Sequence, residues 1–372
     1  MILKKLFRRF RAGNPEPGPA PVDSDYRLRV SKELEIFQEQ VDVNALPEIF
    51  HYWSNKYLRP MLEAYGYSHP DAFFAHYIRQ CVAGSEEVGT IISLGSGNCD
   101  TEVRVARILF DQGVRNFRIQ CLDMNPAMLQ RGRDYAASEG LEAHVVTRVT
   151  DLNCWRQDEP VAGVMANQSL HHFVALESIF DEVARILPPE GRFIISDMIG
   201  RNGHQRWPEA LEIVREFWRE LPPEYRYNLQ LQRQEEVYMD WDCSTEGFEG
   251  IRAQDILPLL LERFHFHAFI GFGNVIDPFI DRGFGHHFDA ESPRDRGFID
   301  RVHAADEAAI LSGQITPTHM MAVLGIGTHS LTTEFSRGLA PDQCIRPPAR
   351  IVPVALCRPN LCPAAQAPDA RT

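Results

Sequence analysis

Two stretches of this 372-residue sequence hold residue types whose spacing could do chemistry. The first is Ile91-Ile92-Ser93-Leu94-Gly95-Ser96-Gly97-Asn98-Cys99-Asp100, an apolar run entering a Gly-x-Gly bend and then a helical pattern. Glycine carries no Cβ, so backbone can approach a ligand closely there. A helix starting at the bend also offers N–H groups without intrahelical partners. Asp123 belongs with it, standing at the end of the next apolar run in Leu122-Asp123-Met124-Asn125. A carboxylate there can accept two hydrogen bonds from ribose hydroxyls, each worth about 1.5–3 kcal/mol, or can cap the helix that Pro126 opens. The second stretch is Asn167-Gln168-Ser169-Leu170-His171-His172-Phe173. An imidazole has the pKa to take a proton from a hydroxyl or amine, although His171 or His172 could equally cap or pack the loop. Asp197 and His204, at and just after the end of a later apolar run, join them as candidates.

The bend discriminates between two kinds of nucleotide ligand. A dinucleotide fingerprint places a third glycine where Asp100 stands. A carboxylate is unfavourable beside a pyrophosphate, whereas the sulfonium and ammonium groups of S-adenosylmethionine are cationic. Asp100 therefore favours the methyl donor over NAD.

The elements that must position these residues follow from the hydrophobic pattern. Apolar runs over 90–94, 117–124, 144–149, 161–166, 192–197, 266–272 and 319–326 read as strands. Helical periodicity fills most gaps between them, over 102–112, 126–138, 176–187, 253–263 and 298–312. Such alternation predicts an α/β fold with a seven-stranded, mostly parallel, Rossmann-like sheet covered by helices on both faces. In open sheets of this kind ligands gather at the carboxyl edge, where both chemical stretches fall.

With those residues in view, the sequence resembles class I S-adenosylmethionine-dependent methyltransferases of the generic methyltransferase-domain group. GSG after the first strand, LDMNP on the second, VTDLN after the third and ANQSLHHF after the fourth carry the likeness. It is specific over about 90–200 and extends through strand order to residue 327. It implies S-adenosylmethionine as cofactor, with Gly95, Ser96 and Gly97 along its methionine part. It further implies Asp123 on the ribose, Met124 against the adenine, Asp151 and Leu152 at the adenine edge, and Asn167 closing the pocket. One departure stands out. The family has an acidic residue two positions before the first glycine, and this chain has Ser93. A water-bridged or Asp100-based contact to the donor's amino group is the expected substitute.

Residues 201–250 interrupt the alternation and read as a helical lid inserted after the fifth strand. Trp207, Phe217, Trp218, Tyr225, Tyr227, Tyr238 and Trp241 are interleaved there with Glu235, Glu236, Asp240 and Asp242. Aromatic faces beside carboxylates suit a sugar ring or a cationic amine, so a small-molecule or glycan-like acceptor, methylated on oxygen or nitrogen, is expected. The plainer alternative is a structural extension whose aromatics simply pack. No metal is expected: adjacent His286 and His287 would diverge in a strand, and Asn167 stands where metal-assisted relatives place carboxylates. Two rival functions remain, a non-catalytic binding protein on the same scaffold and an NAD-dependent oxidoreductase.

The formal net charge of −13 would repel a phosphate backbone, which argues against a nucleic-acid partner. The eight cysteines form no CxxC pair and fit a reducing, cytoplasmic setting. Residues 25–88 read as an N-terminal helical cap preceding a methyltransferase domain over 89–327. Residues 1–24 form a basic, Pro-rich tail expected to be disordered; weak membrane-surface contact through 1–11 is its alternative reading. Residues 328–372, rich in Pro and Ala, read as a second disordered tail.

Overall fold

A computed structural model describes residues 26, 28–32, 46–245, 247–327 and 333–346. The expectations for tail residues 1–24, including membrane contact, lie outside them. Each strand of the main sheet buries alternate residues on opposite faces, as the two-residue period of a strand requires. These strands are β1 (Gly89–Leu94), β2 (Phe117–Asp123), β3 (Val145–Val149), β4 (Gly163–Asn167) and β5 (Phe193–Met198). A two-residue hairpin, β6 (Tyr227–Asn228) and β7 (Arg233–Gln234), stands apart from them in the insertion. The main sheet continues with β8 (His265–Phe272), β9 (His319–Gly325) and β10 (Glu334–Phe335).

The sheet order is β10-β8-β9-β5-β4-β1-β2-β3. Neighbours from β3 through β5 pair in parallel, and β9 alone runs antiparallel, against both β5 and β8. The sequence pattern predicts seven strands; the sheet has eight. The extra strand, β10, pairs in parallel with β8 through Glu334 and Phe335. Two residues are too short for any periodicity to announce. They lie in the segment read as a disordered tail from residue 328, and within it 333–346 is built into the body. Cys344 is buried, and Arg346 pairs with Glu209 at 2.7 Å.

Ile92, Leu94, Val164, Ala166, Phe193 and Ile195 face one side of the sheet. They pack with Ile179, Phe180 and Val183 of the helix Leu176–Ile186 and with Ile256, Leu257 and Leu260 of the helix Ala253–Arg263. Arg252 clamps these helices with a two-pronged pair to Glu177, at 2.6 and 2.8 Å. Ile91, Ile119, Met165 and Ile194 face the other side, where Phe73, Phe74 and Ile78 from the helix Pro70–Cys81 cover them. The N-terminal helices are therefore one wall of the core. Farther out, Ile49 and Trp53 join Val214, Trp218, Phe279 and Ile299 in a third apolar cluster.

One polar pair is buried inside this packing. The helix Asp100–Asp111 turns Glu102 inward, and the Ser93 hydroxyl on β1 donates to its Oε1 at 2.6 Å. Burial pushes the Glu102 carboxyl up from 4.5 to about 7, against the opposing pull of that hydrogen bond.

Two expectations follow. Phe180 is fully buried beside Phe193 and Phe264, so Phe180→Ala should cost about 3–5 kcal/mol in urea unfolding. For Glu102, the folded state keeps a proton that the unfolded state loses between pH 4.5 and about 7. Stability should fall by about 3 kcal/mol as pH rises through that window and level off above it. Glu102→Gln removes the ionisable group and should flatten this dependence. Melts at pH 5 and pH 8 that fall in parallel for both proteins would show that Glu102 is not its source.

Candidate functional site

The glycine bend is shaped by backbone that only certain residues adopt comfortably. Gly95 and Gly97 have φ of +67° and +52°, and Cys99, which precedes the helix Asp100–Asp111, has +58°. At Gly95 space is short as well: a Cβ would lie 2.7 Å from Ser169 Cβ and 3.0 Å from Phe173 Cζ. The amides of Gly95 and Ser96 donate to the Leu122 carbonyl at 2.9 and 3.1 Å, locking the bend to the end of β2. Asp123, at that end, turns towards it. Its Oδ2 accepts from the Gly97 amide at 2.8 Å and its Oδ1 from the Asn125 amide at 2.8 Å. Asn125 in turn caps the helix Pro126–Ser138 by accepting from Ala127 and Met128 amides. A bend that exposes backbone, with one carboxylate beside it, fits an adenosyl donor carrying ribose hydroxyls and a cationic sulfur.

The remaining residues of the expected donor pocket have mixed placements. Met124 is half-buried next to Asp123. Asp100 sits in the first turn of its helix, where a negative charge complements the helix N-terminus. Asn167, at the end of β4, donates to Thr101 Oγ1 at 3.0 Å and so ties β4 to that helix. Leu152 has its side chain in the apolar core, which leaves only its backbone for a ligand. Asp151 is engaged by the protein itself: the Tyr26 hydroxyl lies 2.9 Å from both of its oxygens. Tyr26 belongs to a short helical stretch from which Arg29 reaches the carbonyls of Ser244 and Gly247, at 3.0 and 2.7 Å. Ser93, where the family motif has an acid, is backed by Glu102. That carboxylate arrives from the helix, so reading along β1 does not reveal it.

The second stretch folds into a compact histidine cluster at the carboxyl edge. Asp197, fully buried at the end of β5, accepts from the amides of Ser169, Leu170 and Met198 at 2.9, 2.8 and 2.8 Å. Its Oδ1 also lies 2.6 Å from His171 Nδ1. A carboxylate accepts only, so Nδ1 of His171 carries a hydrogen and Nε2 points onward. There it meets Glu249 Oε1 at 3.4 Å. His204 Nε2 lies 2.5 Å from the same oxygen, and His172 Nε2 lies 3.4 Å from Glu249 Oε2. The four candidates His171, His172, Asp197 and His204 are thus brought together, and Glu249 is the member that sequence spacing does not disclose. It lies 45 residues beyond His204, in a loop with no motif of its own.

Local backbone holds this cluster in place. His204 and the adjacent Gly203 have φ of +54° and +65°, and Gly250 next to Glu249 has +65°. The Gly203 amide donates to the Gly250 carbonyl at 2.9 Å, which zips the two loops together. A Cβ at Gly203 would fall 1.9 Å from Asp242 Oδ1, so only glycine fits. Electrostatics follow from burial and charge. Burial alone would lower the His171 pKa, but Asp197 and Glu249 outweigh it and raise the imidazole to about 10. Asp197 and Glu249 are lowered in return: burial opposes this, and the neighbouring imidazoles override it. His204 is lowered, chiefly by burial. His171 therefore stays protonated at neutral pH and is unsuited to serve alone as a general base. Among the described residues, His171, His204 and Glu249 also form a group able to hold a metal ion.

Most insertion aromatics pack inward. Trp218 is buried against Tyr238 and Phe284, while Phe217 and Tyr225 line the same outer cluster. Glu235 accepts from Arg233 and the Met239 amide, and Asp240 from the Arg206 amide. Trp241 and Tyr227 remain exposed. Trp207 lies under the guanidiniums of Arg201 and Arg346. The segment is a structural extension for most of its length. Its His204 and Glu249 reach the histidine cluster.

A family model described as a methyltransferase domain matches residues 85–241. A comparison with curated proteins finds no match. Among solved structures the chain is similar to geranyl diphosphate C-methyltransferase from Streptomyces coelicolor A3(2), with 14% identity and a TM-score of 0.39. That likeness covers 68% of this chain and 78% of the other. The [4+2]-cyclase SpnF is similar at 12% identity and a TM-score of 0.40, over 86% of this chain and all of that one. The reactions named for those two enzymes are theirs. No helix among the described residues is long and apolar enough to cross a membrane. The match spans the glycine bend, Asp123 and the first five strands, so residues 85–241 are a methyltransferase domain, of the S-adenosylmethionine-dependent kind.

Proposed function

We propose that this enzyme methylates an oxygen or nitrogen of a small-molecule acceptor that lies between the glycine bend and the histidine cluster. One observation carries the reading: Ser169 joins the two. Its hydroxyl donates to the Leu94 carbonyl at 2.7 Å, at the start of the bend, and its amide donates to Asp197 at 2.9 Å, beneath His171. Donor-side backbone and proton-handling side chains are thereby held at a fixed spacing, and juxtaposition alone supplies roughly 7–11 kcal/mol towards a displacement.

In this reading Asp123 holds the ribose hydroxyls, and the Cβ-free backbone of the bend lies against the methionine part. S-adenosylmethionine supplies a methyl group on a sulfonium, and S-adenosylhomocysteine leaves once an acceptor lone pair has taken that methyl. The acceptor's proton passes to the cluster. His172 suits this step because its side chain is 20% exposed against 5% for His171, so it can hand the proton to solvent. Exposed Trp241 offers an aromatic face at the rim of the insertion for a sugar-like or cationic part of the acceptor.

Titration with S-adenosylhomocysteine, NAD and NADP tests the donor side. Binding of the first alone is expected, with Asp123→Ala weakening it by about 10- to 100-fold. Asp123→Asn, which keeps an acceptor for the Gly97 amide, should fall between. Binding unaffected by both substitutions would remove the pocket from this position. On the acceptor side, His172→Ala should slow turnover by about 10²–10⁴ with donor affinity unchanged. Incubating cell extracts with isotopically labelled donor identifies the acceptor; transfer to carbon in place of oxygen or nitrogen would overturn the acceptor assignment.

A further inference from the structure

The geometry points to a divalent transition-metal site at the carboxyl edge of the sheet, with His171 Nε2, His204 Nε2 and a Glu249 carboxylate oxygen as its ligands. The three ligand atoms lie within 4.8 Å of one another. Glu249 Oε1 is 3.4 Å from His171 Nε2 and 2.5 Å from His204 Nε2. Ligands sharing one ion at about 2.0–2.2 Å stand about 3–3.5 Å apart, so the set closes by shifts of about an ångström.

Three further features belong to a built site. Asp197 accepts from His171 Nδ1, which fixes the ring and directs Nε2 and its lone pair at Glu249 once a cation replaces the proton. A carboxylate behind a ligating imidazole is the usual outer support of a metal site. The loops that carry His204 and Glu249 are locked to each other through Gly203 and Gly250, with His204 itself held at positive φ. Backbone held in a sparsely populated region persists only where its surroundings enforce it. Lastly, the charge balances: Asp197 and Glu249 contribute two negative charges, which one dication neutralises without burying excess charge.

Two imidazoles and one carboxylate select the class of ion. Magnesium and calcium favour all-oxygen sets, whereas zinc, ferrous iron, cobalt and manganese accept imidazole nitrogen. Three protein ligands leave coordination positions open. An acceptor hydroxyl bound there would lose its proton more readily, and His172, 3.4 Å from the other Glu249 oxygen, is placed to receive it. That use of the ion rests on the acceptor reading above; ion binding does not.

The test uses the full-length protein, stripped with chelator and titrated with Co²⁺ and with Zn²⁺. One equivalent per chain should bind. The cobalt form should show visible d–d bands without thiolate charge transfer, which excludes the cysteines as ligands. His204→Ala and Glu249→Gln should each weaken binding at least about 100-fold, and Asp197→Asn about 10- to 100-fold. His69→Ala, an exposed histidine outside the cluster, should change nothing. Zn²⁺ should raise the melting temperature of the parent protein and not of folded His204→Gln. Absence of saturable binding by the parent, or unchanged affinity in both His204→Ala and Glu249→Gln with native circular dichroism, overturns the site. S-adenosylhomocysteine affinity measured on Glu249→Gln should equal that of the parent, so failure of the donor reading and failure of the metal site are separately visible.

Discussion

A buried carboxylate must be answered by donors, and in this protein Asp197 organises its surroundings by that demand. It has no exposure to solvent, and an unpaired charge at such depth would cost several kcal/mol. Three backbone amides and one imidazole meet it. Because two of those amides belong to Ser169 and Leu170, the loop after β4 is drawn to the end of β5. Because Ser169 also grips the Leu94 carbonyl, the glycine bend after β1 is drawn in with them. One charge thus assembles the carboxyl-edge loops of β1, β4 and β5 at a common depth.

What the sequence made legible divides along physical lines. Strand–helix alternation from β1 to β9 was readable because both faces of a parallel sheet must be apolar, and Ile91–Leu94 or Phe193–Ile195 carry that pattern openly. The bend and Asp123 were readable because left-handed backbone and a carboxylate leave chemical signatures at single positions. Glu249 was not, since its partners His171 and His204 are distant in sequence and only tertiary folding sets them beside it. Ser93 departs from the family motif, and the Glu102 carboxylate behind it comes from across a strand–helix interface, where spacing along β1 does not disclose it. Strand β10 has two residues and no period. For the aromatics of the insertion the sequence left both a binding face and a packed extension open. Trp218, Phe217 and Tyr238 have the composition of a binding face, but composition cannot distinguish a ring that awaits a ligand from one that packs on Phe279 or Phe284.

The two buried acids near the bend are handled in contrasting ways. Glu102 has one hydroxyl as its partner and keeps its proton to about pH 7, whereas Asp197 has three amides and an imidazole and stays ionised. Both are equally deep; the charge of the neighbouring His171 imidazole, with the amides behind it, is what holds Asp197 ionised against burial.

The short stretch around Tyr26 and Arg29 touches both the loop after β3 and the loop bearing Glu249. Tyr26 rests on Asp151 and packs against Phe248, while Arg29 holds the carbonyls of Ser244 and Gly247, just before Glu249. Any movement that bares Asp151 therefore also withdraws the brace from the loop bearing Glu249. The two contacts belong to one short stretch of backbone, three residues apart, so the cover over Asp151 and the brace on the loop before Glu249 stand or fall together.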